Sequence, residues 1–197
     1  MFRRLRPSIF LLALFLCALA GCNSNDLSSD NSSKSPSASA PPSTALPMPP
    51  VNGASINNLG WSLDGGRRNV FSDYKGKVLV LDFYATWCDP CRRSVPHLIE
   101  LQKKYEPQGL QVIGLNVGGP GDEQKVPQFA KEFGIQYILA QPDEELVTIL
   151  FANTDAIPQT FVFDRQGQLA VRLIGYGDNG GQRIDSAVEA ALKTPAQ

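Results

Sequence analysis

Two cysteines three residues apart, Cys88 and Cys91, stand where an apolar run gives way to a helical pattern. A C-x-x-C at such a junction is built to open and close a small disulfide. With Cys88 at a helix N-cap and Cys91 one turn inside, the two sulfurs come within bonding reach. The first thiol also faces the positive end of the helix dipole, which stabilises a thiolate. Pro90, between them, falls in the first helical turn, where its missing N–H costs nothing. Half of a structural zinc site is the competing reading, but it requires a second pair of ligands. The rest of the domain offers no further cysteine and one histidine, His97. His97 lies about 240° round the helix from Cys91, so it is read as a helix-surface residue and no metal is expected.

Six residues before Cys88, Asp82 interrupts an otherwise apolar stretch. A carboxylate buried there without a partner is costly, and its pKa should rise. The alternative is a strand residue turned to solvent.

Strands and helices must hold these residues. Val78–Tyr84 is nearly continuous and apolar, as in a strand buried on both faces. Leu110–Val117 reads as a second such strand, closed by Gly118-Gly119-Pro120. Thr160–Phe163 is a third, turning at Asp164–Gly167 into a fourth, Leu169–Ile174. Leu59–Leu63 adds a short strand or hairpin at the start. Helical patterns alternate with these over Asp89–Tyr105, Asp122–Phe133, Asp143–Phe151 and Gln182–Leu192. The order predicts an α/β sandwich, a mixed central sheet flanked by helices.

The chain before this domain has a different character. Arg3, Arg4 and Arg6 precede twelve apolar residues, Ile9 to Ala20. That is a signal-peptide core, short of the roughly 20 residues a spanning helix needs; an uncleaved anchor is the alternative. Leu19-Ala20-Gly21-Cys22 resembles the lipobox of bacterial lipoproteins. The resemblance implies that residues 1–21 are removed and that Cys22 carries lipid. Cys17 would leave with the leader. Of the 28 residues from Asn23 to Pro50, 15 are Ser or Pro, so residues 22–50 read as lipidated cysteine and flexible tether. Residues 51–197 are the folded domain, long enough to bury a core without disulfide staples.

Charge narrows the function. The whole 197-residue chain carries a formal −1 and the domain a formal −3, with no basic stripe, so nucleic acid is not a partner. A monomer is the default expectation. A copper carrier would place His or Met beside the thiols, and Met48 in the tether is the only methionine after the leader. A peroxidase with an isolated cysteine in a Thr-x-x-Cys setting is not indicated.

The segment Asp82-Phe83-Tyr84-Ala85-Thr86-Trp87-Cys88-Asp89-Pro90-Cys91 resembles the active-site segment of the thioredoxin superfamily. Three further marks are similar to its extracytoplasmic TlpA/ResA-like branch: Tyr74–Lys77, Val95–Leu98 and Ile157–Phe161 with the following Asp-x-x-Gly turn. The resemblance covers roughly Leu59 to Ala191. It implies a thioredoxin-like sandwich and a thiol-disulfide oxidoreductase on the outer side of a membrane, without a cofactor. It further implies disulfide-containing exported proteins as clients, apocytochrome c among them, and a membrane thiol-relay protein as electron donor. Pro158 would be the cis-proline facing the disulfide, a trans proline opening a strand being the alternative. Trp87, Ile157 and Pro158, with Pro90 beside them, would form the docking rim, and Asp82 would assist proton transfer at Cys91. The sequence departs from the pattern in two places. Asp82 stands where many of the branch have Asn, and Ser94 where they often have Glu; the acid is in the thioredoxin position, but Gly114 stands where thioredoxin has its lysine partner. Reduction of clients is the favoured direction; thiol oxidase or isomerase activity and a non-catalytic copper-binding or adaptor lipoprotein are the alternatives.

Overall fold

A computed structural model describes residues 56–195. The leader, Cys22 and the tether, expected over residues 1–50, lie outside the described residues.

Seven strands form one sheet. They are β1 (Gly60–Ser62), β2 (Arg68–Val70), β3 (Val78–Tyr84), β4 (Leu110–Asn116), β5 (Ile138–Pro142), β6 (Gln159–Phe163) and β7 (Leu169–Ile174). Their order is β2-β1-β5-β4-β3-β6-β7. β3, β4 and β5 run parallel, while β6, β7 and the β1–β2 hairpin pair antiparallel. The helices are α1 (Asp89–Tyr105), α2 (Val126–Phe133), α3 (Glu144–Phe151) and α4 (Gly180–Leu192).

The side-chain alternation of β3 builds both layers of the core. Leu79, Leu81 and Phe83 face one side, where Trp61, Phe161, Phe163 and α3's Leu146 and Leu150 pack. Val78 and Val80 face the other, against Leu98 and Leu101 of α1 and Ile184 and Val188 of α4. Asp82, two residues beyond Val80, therefore shares the face that α1 covers. Leu98 is fully buried in that layer. Leu98→Ala should lower unfolding free energy by about 2–5 kcal/mol, read from a denaturant melt.

The α/β sandwich with a mixed sheet stands as the sequence indicates. The differences are local. α2 begins at Val126, after a single 3-10 turn over Glu123–Lys125. Pro127 has no N–H to donate back to Glu123, so a continuous helix from Asp122 is broken there. α4 starts two residues early, through Gly180 and Gly181. β5 is a strand the sequence pattern does not predict; it is five residues long and ends in Pro142. No helix among the described residues is long and apolar enough to cross a membrane.

Candidate active site

Strand β3 delivers the site. It ends at Tyr84, and the chain turns through Ala85–Cys88 into α1. Cys88 is the N-cap of α1, and its Sγ accepts the Cys91 N–H at 3.3 Å. The two cysteines form a disulfide, with Cα atoms 5.2 Å apart. Cys91 is fully enclosed, whereas Cys88 keeps 5% of its surface open. Cys88 is thus the more accessible of the two sulfurs.

The opposite wall comes from the segment before β6. The Ile157–Pro158 peptide bond is cis, and the Ile157 carbonyl oxygen lies 3.8 Å from Cys88 Sγ. Pro158 is buried and Ile157 half-buried. Trp87 projects outward, 61% exposed, while its Nε1 donates to the Gly118 carbonyl at 3.1 Å. The structure therefore brings Trp87, Cys88, Ile157 and Pro158 to one mouth, with Pro90 on the first turn of α1.

Asp82 is 2% exposed, so the solvent-facing alternative falls. It stands in register with Gly114 on β4 and Thr160 on β6. Burial pushes its carboxyl up to about 7, although the Thr160 hydroxyl, donating to Oδ1 at 2.8 Å, pulls the other way. Among the described residues Thr160 is its one side-chain hydrogen-bond partner, and a lysine in place of Gly114 would need space there. That space is taken: a Cβ at Gly114 would stand 2.6 Å from Leu139 Cδ2 and 3.2 Å from the Tyr84 ring.

His97 is half-buried rather than a surface residue. Its Nε2 lies 3.5 Å from Asp185 Oδ1, and its ring packs toward Tyr176. The two glycines at the start of α4 allow this approach, since a Cβ at Gly181 would sit 3.2 Å from His97 Nδ1. Among the described residues no group of three His, Cys, Asp or Glu side chains converges as metal ligands.

Two supports of the site are set by partners distant in the chain. Asp122 is buried and accepts from Thr86 and Asn116. On the other wall, Arg172 donates to Gln159 Oε1 through Nε at 2.9 Å and Nη2 at 2.6 Å, and to the Phe151 carbonyl at 2.9 Å. Gln159 in turn donates to the Thr154 carbonyl. The loop leading to Ile157 is thereby tied to the edge strand β7. The one sequence signal for this support is a glutamine directly after Pro158, at the head of an apolar strand.

Residues 55–172 match the AhpC/TSA family. The chain belongs to that family. Within AhpC/TSA proteins it is similar to thiol-disulfide oxidoreductase ResA of Geobacillus kaustophilus, 34% identical over 110 residues, which is 56% of this chain and 62% of the relative. ResA of Bacillus subtilis is 29% identical over 112 residues, 56% of this chain and 60% of the relative. The match thus spans less than two thirds of these relatives' length. Among solved structures, a thioredoxin-family thiol:disulfide interchange protein of Chlorobium tepidum superposes with a TM-score of 0.60 at 25% identity, covering 74% of this chain and 99% of that one. This AhpC/TSA domain has the thioredoxin-like fold.

Proposed function

We propose that this chain is a membrane-tethered thiol-disulfide oxidoreductase that reduces disulfides of exported proteins. The observation that carries this reading is the Cys88–Cys91 disulfide at the N-terminus of α1, beside the Ile157 carbonyl. The similarity to ResA proteins supports it.

In the reduced protein the Cys88 thiolate attacks one sulfur of a client disulfide. A mixed disulfide forms and the client's other sulfur leaves as a thiolate, which takes a proton. Cys91 then loses its proton and attacks Cys88 Sγ. The second client sulfur leaves, and the Cys88–Cys91 disulfide remains. Two electrons have passed to the client. A membrane thiol-relay protein restores the dithiol. Asp82, titrating near neutrality on the face that α1 covers, is suited to take the Cys91 proton. Trp87, Pro90, Ile157 and Pro158 form the rim on which the client chain rests.

Direction follows from charge. The Cys91 N–H stabilises a thiolate at Cys88. The carboxyls of Asp82, on the face that α1 covers, and of Asp89, between the cysteines in sequence, oppose it. A reduced form that gains little stabilisation gives a low potential. Titration of the pair against dithiothreitol should return about −250 mV or lower, in the range of thioredoxin. A value of about −120 to −180 mV belongs to oxidants and isomerases and would sink the reductase assignment.

The tether rests on sequence. Lipid on Cys22 would hold the chain at a membrane on its outer, extracytoplasmic side, and 28 residues of coil would let the domain range roughly 30 Å from it. Apocytochrome c is the first client to test.

A further inference from the structure

Thr86 and Trp87 lead directly into Cys88, and one loop grips both. After β4 the chain runs Val117-Gly118-Gly119-Pro120-Gly121-Asp122 and folds the Asp122 side chain back under the site. Oδ2 accepts the Thr86 N–H at 2.9 Å and Asn116 Nδ2 at 2.8 Å, and Oδ1 accepts the Thr86 hydroxyl at 2.5 Å. The same loop offers the Gly118 carbonyl to Trp87 Nε1. From the helix side, Arg92 Nη1 donates to the Thr86 carbonyl at 3.2 Å. Every polar atom of Thr86 is therefore bonded.

The loop has the sequence this grip demands. A Cβ on Gly118 would stand 2.0 Å from Asp122 Oδ2, so only glycine lets the carboxylate reach Thr86. Gly119 and Gly121 both take positive φ, 86° and 83°, which lets the loop turn back within six residues. Asp122 is 2% exposed. A carboxylate is buried at such cost only when its oxygens are occupied. Burial raises its pKa, but the bonds from Thr86 and Asn116, with Lys125 nearby, outweigh that and hold it below the ordinary value. It is anionic at neutral pH.

We propose that Asp122 is the positioning residue for Cys88: by fixing Thr86, within the loop that also anchors Trp87, it sets the line along which the Cys88 sulfur meets a client disulfide. This rests on the oxidoreductase reading. Small errors of approach are costly in such a step, about a hundredfold for a displacement of about 1 Å. A small alkylating reagent has a weaker demand, because a molecule of a few atoms can turn within the opening at Cys88, where a client chain resting on the rim cannot.

The test separates position from reactivity. The full chain and its Asp122→Ala and Thr86→Val variants are assayed for reduction of a disulfide-bonded peptide. The Cys88 alkylation rate with iodoacetamide is measured from pH 5 to 9 on the same reduced proteins. Thermal melts fix an assay temperature at which each is folded. Asp122→Ala should lose about tenfold or more in kcat/KM, and Thr86→Val about threefold, with the alkylation profile unmoved within about twofold. A kcat/KM within about twofold of the parent in a folded Asp122→Ala protein would reduce Asp122 to a staple of the fold. A parallel loss in alkylation would make it a group acting on thiol reactivity, and would equally overturn the proposal. If Asp122→Ala does not fold, Thr86→Val decides by the same criteria. A parent chain that fails to reduce the peptide defeats the oxidoreductase reading instead, which the variants alone cannot do.

Discussion

A Cys91→Ser chain mixed with an oxidised client should accumulate a covalent adduct through Cys88, and a Cys88→Ser chain should accumulate none. The asymmetry follows from access. Cys88 keeps a small opening beside Ile157 and Trp87, and Cys91 has none. On this access Cys88 should begin the exchange and Cys91 should finish it. Without the resolving thiol the mixed disulfide has no intramolecular partner and persists until an external thiol removes it. Both variants should lose at least about a thousandfold in turnover, because each removes one of two bonds that must form in sequence. Non-reducing electrophoresis and intact mass read the adduct. An adduct through Cys91 in the Cys88→Ser chain would reverse the order of attack.

The residues whose role depends on the local chain were legible in advance; those defined by a distant partner were not. The C-x-x-C after an apolar strand fixes a helix N-cap, because the spacing and Pro90 admit little else. Asp82 declares its burial through its neighbours, since Leu81 and Phe83 leave an alternating strand no solvent face when both sides are covered. Thr160, its hydrogen-bond partner, lies 78 residues away on β6, and nothing in either segment announces the pairing. Asp122 is the clearest case. Gly118-Gly119-Pro120 marks the end of a strand, and an acid after such a loop reads as the start of a helix. Its true partner, Thr86, sits 36 residues earlier, and only the parallel pairing of β3 with β4 brings the two strand ends together. His97 fails for the same reason. A helical wheel turns it away from the thiols, but the two glycines that open α4 determine what it meets on the other side.

Asp82→Asn should make the folded protein more stable in mild alkali while making it a slower enzyme. The folded-state pKa is about 7 against an ordinary 3.8, so folding favours the protonated acid. The stability that this proton brings is fully present below about pH 4 and is lost as pH rises through 7. A shift of this size corresponds to roughly 4 kcal/mol between pH 4 and 8. Asparagine is neutral throughout and can still accept the Thr160 hydroxyl, so the contribution of position 82 should be flat over that window. With the disulfide intact the cysteines do not titrate, and the difference between parent and variant in urea melts at pH 4 and pH 8 isolates the carboxyl. Parent and variant should nearly coincide at pH 4 and diverge at pH 8, with the variant higher. The chemistry moves the opposite way. Cys91 must shed a proton inside the protein before it can resolve the mixed disulfide, and asparagine cannot take it. Loss of a positioned base costs about a hundredfold or more, and it should fall on the resolving step, leaving Cys88 alkylation nearly untouched. Parallel pH–stability curves for parent and variant would mean that Asp82 does not titrate near neutrality. An unchanged resolving rate would mean that the Cys91 proton leaves by another route. The cost in stability at neutral pH is then the physical signature of the site: a carboxylate kept buried, with one hydroxyl partner and no counter-charge among the described residues, where a proton must come and go.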